Sequence, residues 1–86
     1  MTDEPQAQQT PEFIFRQEVL RRIDLLNERA FTLKLSLMRE MRETQNLSAT
    51  GFVHDAQRRF HEVECPLMSE QSQLHRELAA LESLIA

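Results

Sequence analysis

From Pro11 to Gln45 the chain has no Gly, no Pro beyond the first position, and an apolar residue at nearly every helical contact position. Thr10 stands where an N-cap belongs, Pro11 suits the first helical position because its missing N–H is not needed there, and Glu12 favours the positive end of the helix dipole. A helix over 11–45 follows. Its spacing Val19, Ile23, Leu26, Ala30, Leu33, Leu37 alternates four and three, which is the seam of a coiled-coil-like contact, with Phe15 and Met41 extending the same face.

A second apolar set on this helix (Phe13, Leu20, Phe31, Leu35 and Met38) lies roughly 100° to 160° round from Val19, interrupted by Asp24 and Asn27. One partner helix cannot cover both sets. Five large side chains at about 1.5 to 3 kcal/mol each give a gross driving force near 10 kcal/mol, before association costs. These five are the expected partner-binding residues. The remaining surface carries Glu12 with Arg16 and Glu18 with Arg22, acid four residues before base, the favourable order for exposed pairs.

Turn formers cluster only at 46–51, Asn-Leu-Ser-Ala-Thr-Gly, which holds the single Gly of the chain. The helix should stop there, with Ser48 or Thr50 capping the next; with Ser48, Leu47 and Phe52 would occupy the hydrophobic-staple positions. From 52 to 85 the seam resumes as Val53, Ala56, Phe60, Val63, Leu67, then polar Glu70 or Gln71, then Leu74, Leu78, Leu81 and Ile85. Helices of similar length joined by a short turn make antiparallel neighbours. The expected fold is all-α: an antiparallel helical hairpin of two long helices, the second kinked at Pro66, associating into a dimeric four-helix bundle. Mid-helix, Pro66 removes one hydrogen bond and its ring meets the carbonyl of Glu62, costing about 3 kcal/mol. A three-helix bundle broken at 64–66 is the alternative. Residues 1–10 contain no large apolar side chain after Met1, so they read as a disordered tail before a single domain over 11–86.

Composition narrows the function. With 86 residues, one Gly, three Pro and no Trp or Tyr, the chain has room for one marginal core, suits long helices and lacks the punctuation that sheets and compact loops require. A net charge of −4, from 14 acidic and 10 basic residues, disfavours a phosphate-neutralising surface, so no nucleic-acid partner is expected. The lone Cys65, the absence of a signal-like segment and the lack of an apolar run of about 18 residues make the cytoplasm the expected compartment and exclude membrane insertion.

Three patterns carry possible chemistry. His54, His61, Met68 and His75 recur every seven residues, and Cys65 sits four after His61. His61 and Cys65 at that spacing can reach one metal ion, and a Cys-Pro pair can ligate haem. A metal- or haem-responsive regulator using His61 and Cys65 is therefore the alternative function, although one chain supplies too few ligands and these residues otherwise read as flanks of the seam. Paired carboxylates (Glu62 with Glu64, Glu40 with Glu43, Glu77 with Glu82) read as solvated helix faces, since acid–base work needs a desolvated pocket. The doublets Arg21-Arg22 and Arg58-Arg59 have acids three or four positions away and read as exposed ion pairs. No phosphate-cradling loop, nucleophile elbow or cofactor motif is present. The expected function is a non-enzymatic protein-protein interaction module, an adaptor, small chaperone or regulator, acting on its own copy or a foreign chain with no cofactor.

Overall fold

A computed structural model describes residues 10–86, and these are all-helical, with no strand among them. The expected tail over 1–10 lies outside the described residues except for Thr10. Helix α1 spans Pro11–Ala49. The return arm is α2, Val53–Arg59, a π-helical turn, Phe60–Glu64, and α3, Cys65–Ile85, in unbroken succession. With 39 residues, α1 is about 58 Å long. The radius of gyration, 20.4 Å, compares with about 12 Å for a compact domain of this length. The molecule is a rod.

Thr10 caps α1: its Oγ1 accepts from the Phe13 N–H at 3.2 Å, and its carbonyl accepts from the Ile14 N–H at 2.9 Å. At the other end α1 runs through Asn46, Leu47 and Ser48, beyond the limit of 45 set by the turn formers. Helix propensity explains why: each of these residues is tolerated in a last turn, and only Gly51 readily takes the left-handed backbone that ends it. Gly51 has φ of 94°. Around it the Phe52 N–H donates to the Leu47 carbonyl at 2.8 Å and the Gly51 N–H to the Ser48 carbonyl at 3.2 Å, the paired bonds of a Schellman cap. The Thr50 hydroxyl turns back to the carbonyls of Asn46 and Leu47 at 2.8 and 3.2 Å. Neither Ser48 nor Thr50 caps the second arm. Its N-cap is Phe52, without a side-chain bond.

Three links fix how the arm lies on α1. The Arg16 guanidinium donates to the Ile85 carbonyl at 3.5 Å, Arg29 pairs with Glu70, and Arg59 pairs with Glu40. The arm therefore runs antiparallel to α1. Val19, Ile23 and Leu78 form the centre of the buried cluster, with Leu26, Leu81 and Ile85 packed against it. Leu33, Leu37, Ala56 and Leu74 are also buried. Phe15 and Met41 are exposed, contrary to the extended seam. The arm ends at the level of Arg16, so Phe15 is covered only in part, and a helix of 3.6 residues per turn drifts about 20° per heptad, so by residue 41 the inner face has passed to Glu40, Thr44 and Leu47.

Pro66 is accommodated without a break. Glu64 and Cys65 keep right-handed helical backbone angles, so the split at 64–66 that a three-helix bundle needs does not occur. The Cys65 N–H reaches the Phe60 carbonyl, five residues back. One extra residue in this turn shifts everything downstream in register. Phe60 turns outward, Val63 is only half-buried, and Glu64 takes the inner position.

Gly51→Ala should lower stability by about 1–2 kcal/mol, the cost of left-handed backbone for an L side chain, read as a fall in melting temperature, although a Cβ there meets nothing within 4 Å. Amide hydrogen exchange should be faster over 62–72, where the ladder is widened and Pro66 removes a donor, than over 19–37; equal protection would mean that the π turn does not weaken the arm.

Candidate interaction surface

The exposed side chains of α1 form a surface that the return arm does not reach. Phe31 is 63% exposed, Leu35 51%, Met38 50% and Phe13 43%, while Leu20 is half-buried. All five belong to the second apolar set, on the flank and back of α1 relative to its inner row Val19, Ile23, Leu33, Leu37. Adjacent turns put Phe31, Leu35 and Met38 together. Isolated exposed apolar residues are ordinary, whereas a row of them along one helix face is not.

Other exposed apolar residues are more scattered. Phe15, Leu25 and Leu84 line a shallow groove with Val19 and Leu81 where the two arms meet. A neighbouring groove is lined by Leu25, Thr32, Leu33, Ser36 and the Arg29–Glu70 pair. That side of the rod is closed by ion pairs. The opposite flank of α1, with Leu20, Phe31 and Met38, has no cross-arm pair among the described residues beyond the terminal Arg16 contact.

The charges depart from the expected pattern in detail. Arg21 pairs with Glu18 at 3.1 Å and Arg58 with Asp55 at 2.9 Å, both three residues apart. Arg16 is drawn to the unsatisfied carbonyl of Ile85 instead of Glu12, and Glu18 takes Arg21 instead of Arg22. Arg59 leaves its own helix and crosses to Glu40. Both partners of that pair are substantially buried, so its doublet is not simply an exposed one.

Glu64 is the larger correction. It is only 4% exposed, and its Oε2 has no hydrogen-bond partner. The paired carboxylates Glu62 and Glu64 are therefore not a solvated face: Glu62 is exposed and Glu64 faces inward because the π turn rotates it there. The register of the three cross-links places it opposite residues 33–37 of α1. The Arg59 Nε is also buried without a partner. No sequence signal distinguishes Glu64 from Glu62 except proximity to Pro66.

His61 is exposed and lies edge-on to the Phe60 ring at 5.3 Å, and Cys65 is half-buried. His54, Met68 and His75 are exposed along the arm. Among the described residues no group of three or more His, Cys, Asp or Glu could hold a metal ion, and no helix is long and apolar enough to cross a membrane. No family model, curated protein or solved structure matches this chain.

Glu64→Leu should raise stability by about 1–3 kcal/mol, because it removes an unpartnered buried carboxyl while keeping similar volume. For a domain of this size that is a rise of at least ~4 °C in melting temperature. A fall would show that the carboxylate finds a partner in the working assembly.

Proposed function

We propose that this chain is a non-enzymatic protein-binding module: a helical hairpin that presents the back face of α1 and completes its folding by packing that face against another polypeptide, as in a dimeric four-helix bundle. The observation that carries this reading is the exposure of Phe31, Leu35 and Met38 on adjacent turns, each at least 50% open, on the helix that also carries the buried seam. Helix-in-groove docking supplies the mechanism: apolar anchors at i, i+4 and i+7 enter a complementary surface, while flanking charges set register. Met38 lets such a surface adapt, since its thioether side chain is flexible.

The small core supports the same reading. Among the described residues no side chain falls below 2% exposure, and seven apolar residues are buried. Domains of this size that cannot bury more by themselves use disulfides, metals or association. With a lone free Cys65, an internal disulfide is excluded within this sequence, and association is the route its apolar face fits. A regulator, adaptor or small chaperone all use this one physical act, the capture of a chain by an apolar helix face.

The double variant Phe31→Asp, Leu35→Asp should keep the far-ultraviolet helix signal of the wild type while losing association, measured as solution mass and as retention of any partner that the wild type captures. Unfolding of the variant as a monomer would mean that these residues belong to the core.

A further inference from the structure

We infer that the occupant of the α1 back face is a second copy of this chain, laid antiparallel about a two-fold axis that passes between Asp24 and Asn27. This rests on the interaction-face reading above and names its partner. The order of residue classes along the stripe is the reason: Phe13, Gln17, Leu20, Asp24, then Asn27, Phe31, Lys34, Met38. Read from either end it alternates apolar and polar in the same order and meets in the middle at a polar pair. A two-fold contact is self-complementary, so if residue i meets residue j of the copy, j meets i. Turning a copy end over end about the midpoint sets Phe13 against Met38, Leu20 against Phe31, and Asp24 against Asn27, each twice.

The interruption of the apolar set thereby gains a role. The Asn27 amide can donate to the Asp24 carboxylate of the other copy, and such central polar pairs fix register in helix contacts. A parallel, in-register pairing would instead place the two Asp24 carboxylates against each other, and like charges directly opposed are repulsive.

The area agrees with a dimer. Phe31 at 63%, Leu35 at 51%, Met38 at 50% and Phe13 at 43% exposure, together with half-buried Leu20, offer roughly 400 Å² of apolar surface, taking fully exposed side chains of this size near 150–250 Å². One side of a standard interface is about 800 Å², of which about 57% is apolar. The face therefore supplies close to the apolar share that a stable dimer needs.

The test uses single-thiol variants that leave every apolar anchor intact. In a Cys65→Ser background, Gln17→Cys and Lys34→Cys are prepared separately, and each is treated with a short bis-maleimide alone and as an equal mixture. In the antiparallel register residue 17 faces residue 34 of the copy, whereas two copies of either residue lie ~25 Å apart along the axis by helix rise. The mixture should give a linked dimer in high yield and each variant alone almost none, with sedimentation equilibrium of the wild type giving twice the chain mass. Linking of each variant with itself as efficiently as in the mixture would establish a parallel pairing and overturn the proposal. A wild type that stays monomeric and fully helical at every concentration would overturn it too, while leaving the face open to a foreign chain. That outcome is distinct from unfolding of Phe31→Asp, Leu35→Asp, which would remove the face itself.

Discussion

Pro66 forbids an ordinary α-helical ladder through the carbonyl of Glu62, and the geometry of the return arm follows from how the chain meets that constraint. It widens one turn. The Cys65 N–H bonds five residues back to Phe60, the helix continues, and one residue is added between the inner positions above and below the turn. Ala56 and Arg59 face α1 before it, and Glu64 and Leu67 face α1 after it. A break would have released α3 to pack elsewhere, whereas the widened turn keeps the arm as one element against one helix. Its cost is a carboxyl in an inner position.

The contact between the arms is consequently unequal along its length. Toward the chain ends it is apolar, with Val19, Ile23 and Leu78 at its centre. Toward the turn it carries a polar layer of Glu40, Arg59 and Glu64. Apolar seams tolerate slippage by a turn, because one Leu replaces another at small loss. The polar layer does not, since a slip would separate Arg59 from Glu40 and Arg29 from Glu70 together. Arg29–Glu70 is largely exposed and stabilises little alone. The half-buried pair has the greater effect on register, because a charge left alone in that position loses both water and partner.

Much of this arrangement was legible in the sequence, and the misses share causes. The helical class followed from the lack of Gly and of internal Pro over 11–45, and the inner row Val19, Ile23, Leu33, Leu37 from its spacing. Phe15 and Met41 were misplaced because a 3.5-residue pattern was extended beyond the length over which a partner exists. Phe60 and Glu64 exchanged roles because periodicity assumes one residue count per turn, and only backbone geometry reveals a π turn. The end of α1 moved because Asn46 and Ser48 are tolerated in a last turn and the Thr50 hydroxyl bonds back to the helix carbonyls just beyond it, leaving Gly51 as the residue whose conformation ends it. The exposed row Phe13, Phe31, Leu35, Met38 lies where projection put it. What occupies that row is a different question, which spacing within one chain addresses only through its symmetry.

The two faces of α1 would also tie its folding to any association through the open one. Leu33 and Leu37 are buried within the same two turns in which Phe31, Leu35 and Met38 are open, so the middle of the helix is held from one side. An isolated helix draws little stability from its own hydrogen bonds, and most comes from packing of its apolar faces. Covering the back face would therefore stabilise α1 itself, and through it the whole antiparallel contact. Any chain that binds this face only in the folded state shifts the folding equilibrium by mass action. For a core as small as the seven buried apolar residues among those described, that shift is a large part of the total stability, so removal of a seam residue such as Leu37 and removal of a face residue such as Phe31 would affect the same equilibrium through opposite sides of one helix. Dilution separates them: loss of the seam destabilises the chain at any concentration, whereas loss of the face matters only where the partner is abundant enough to occupy it.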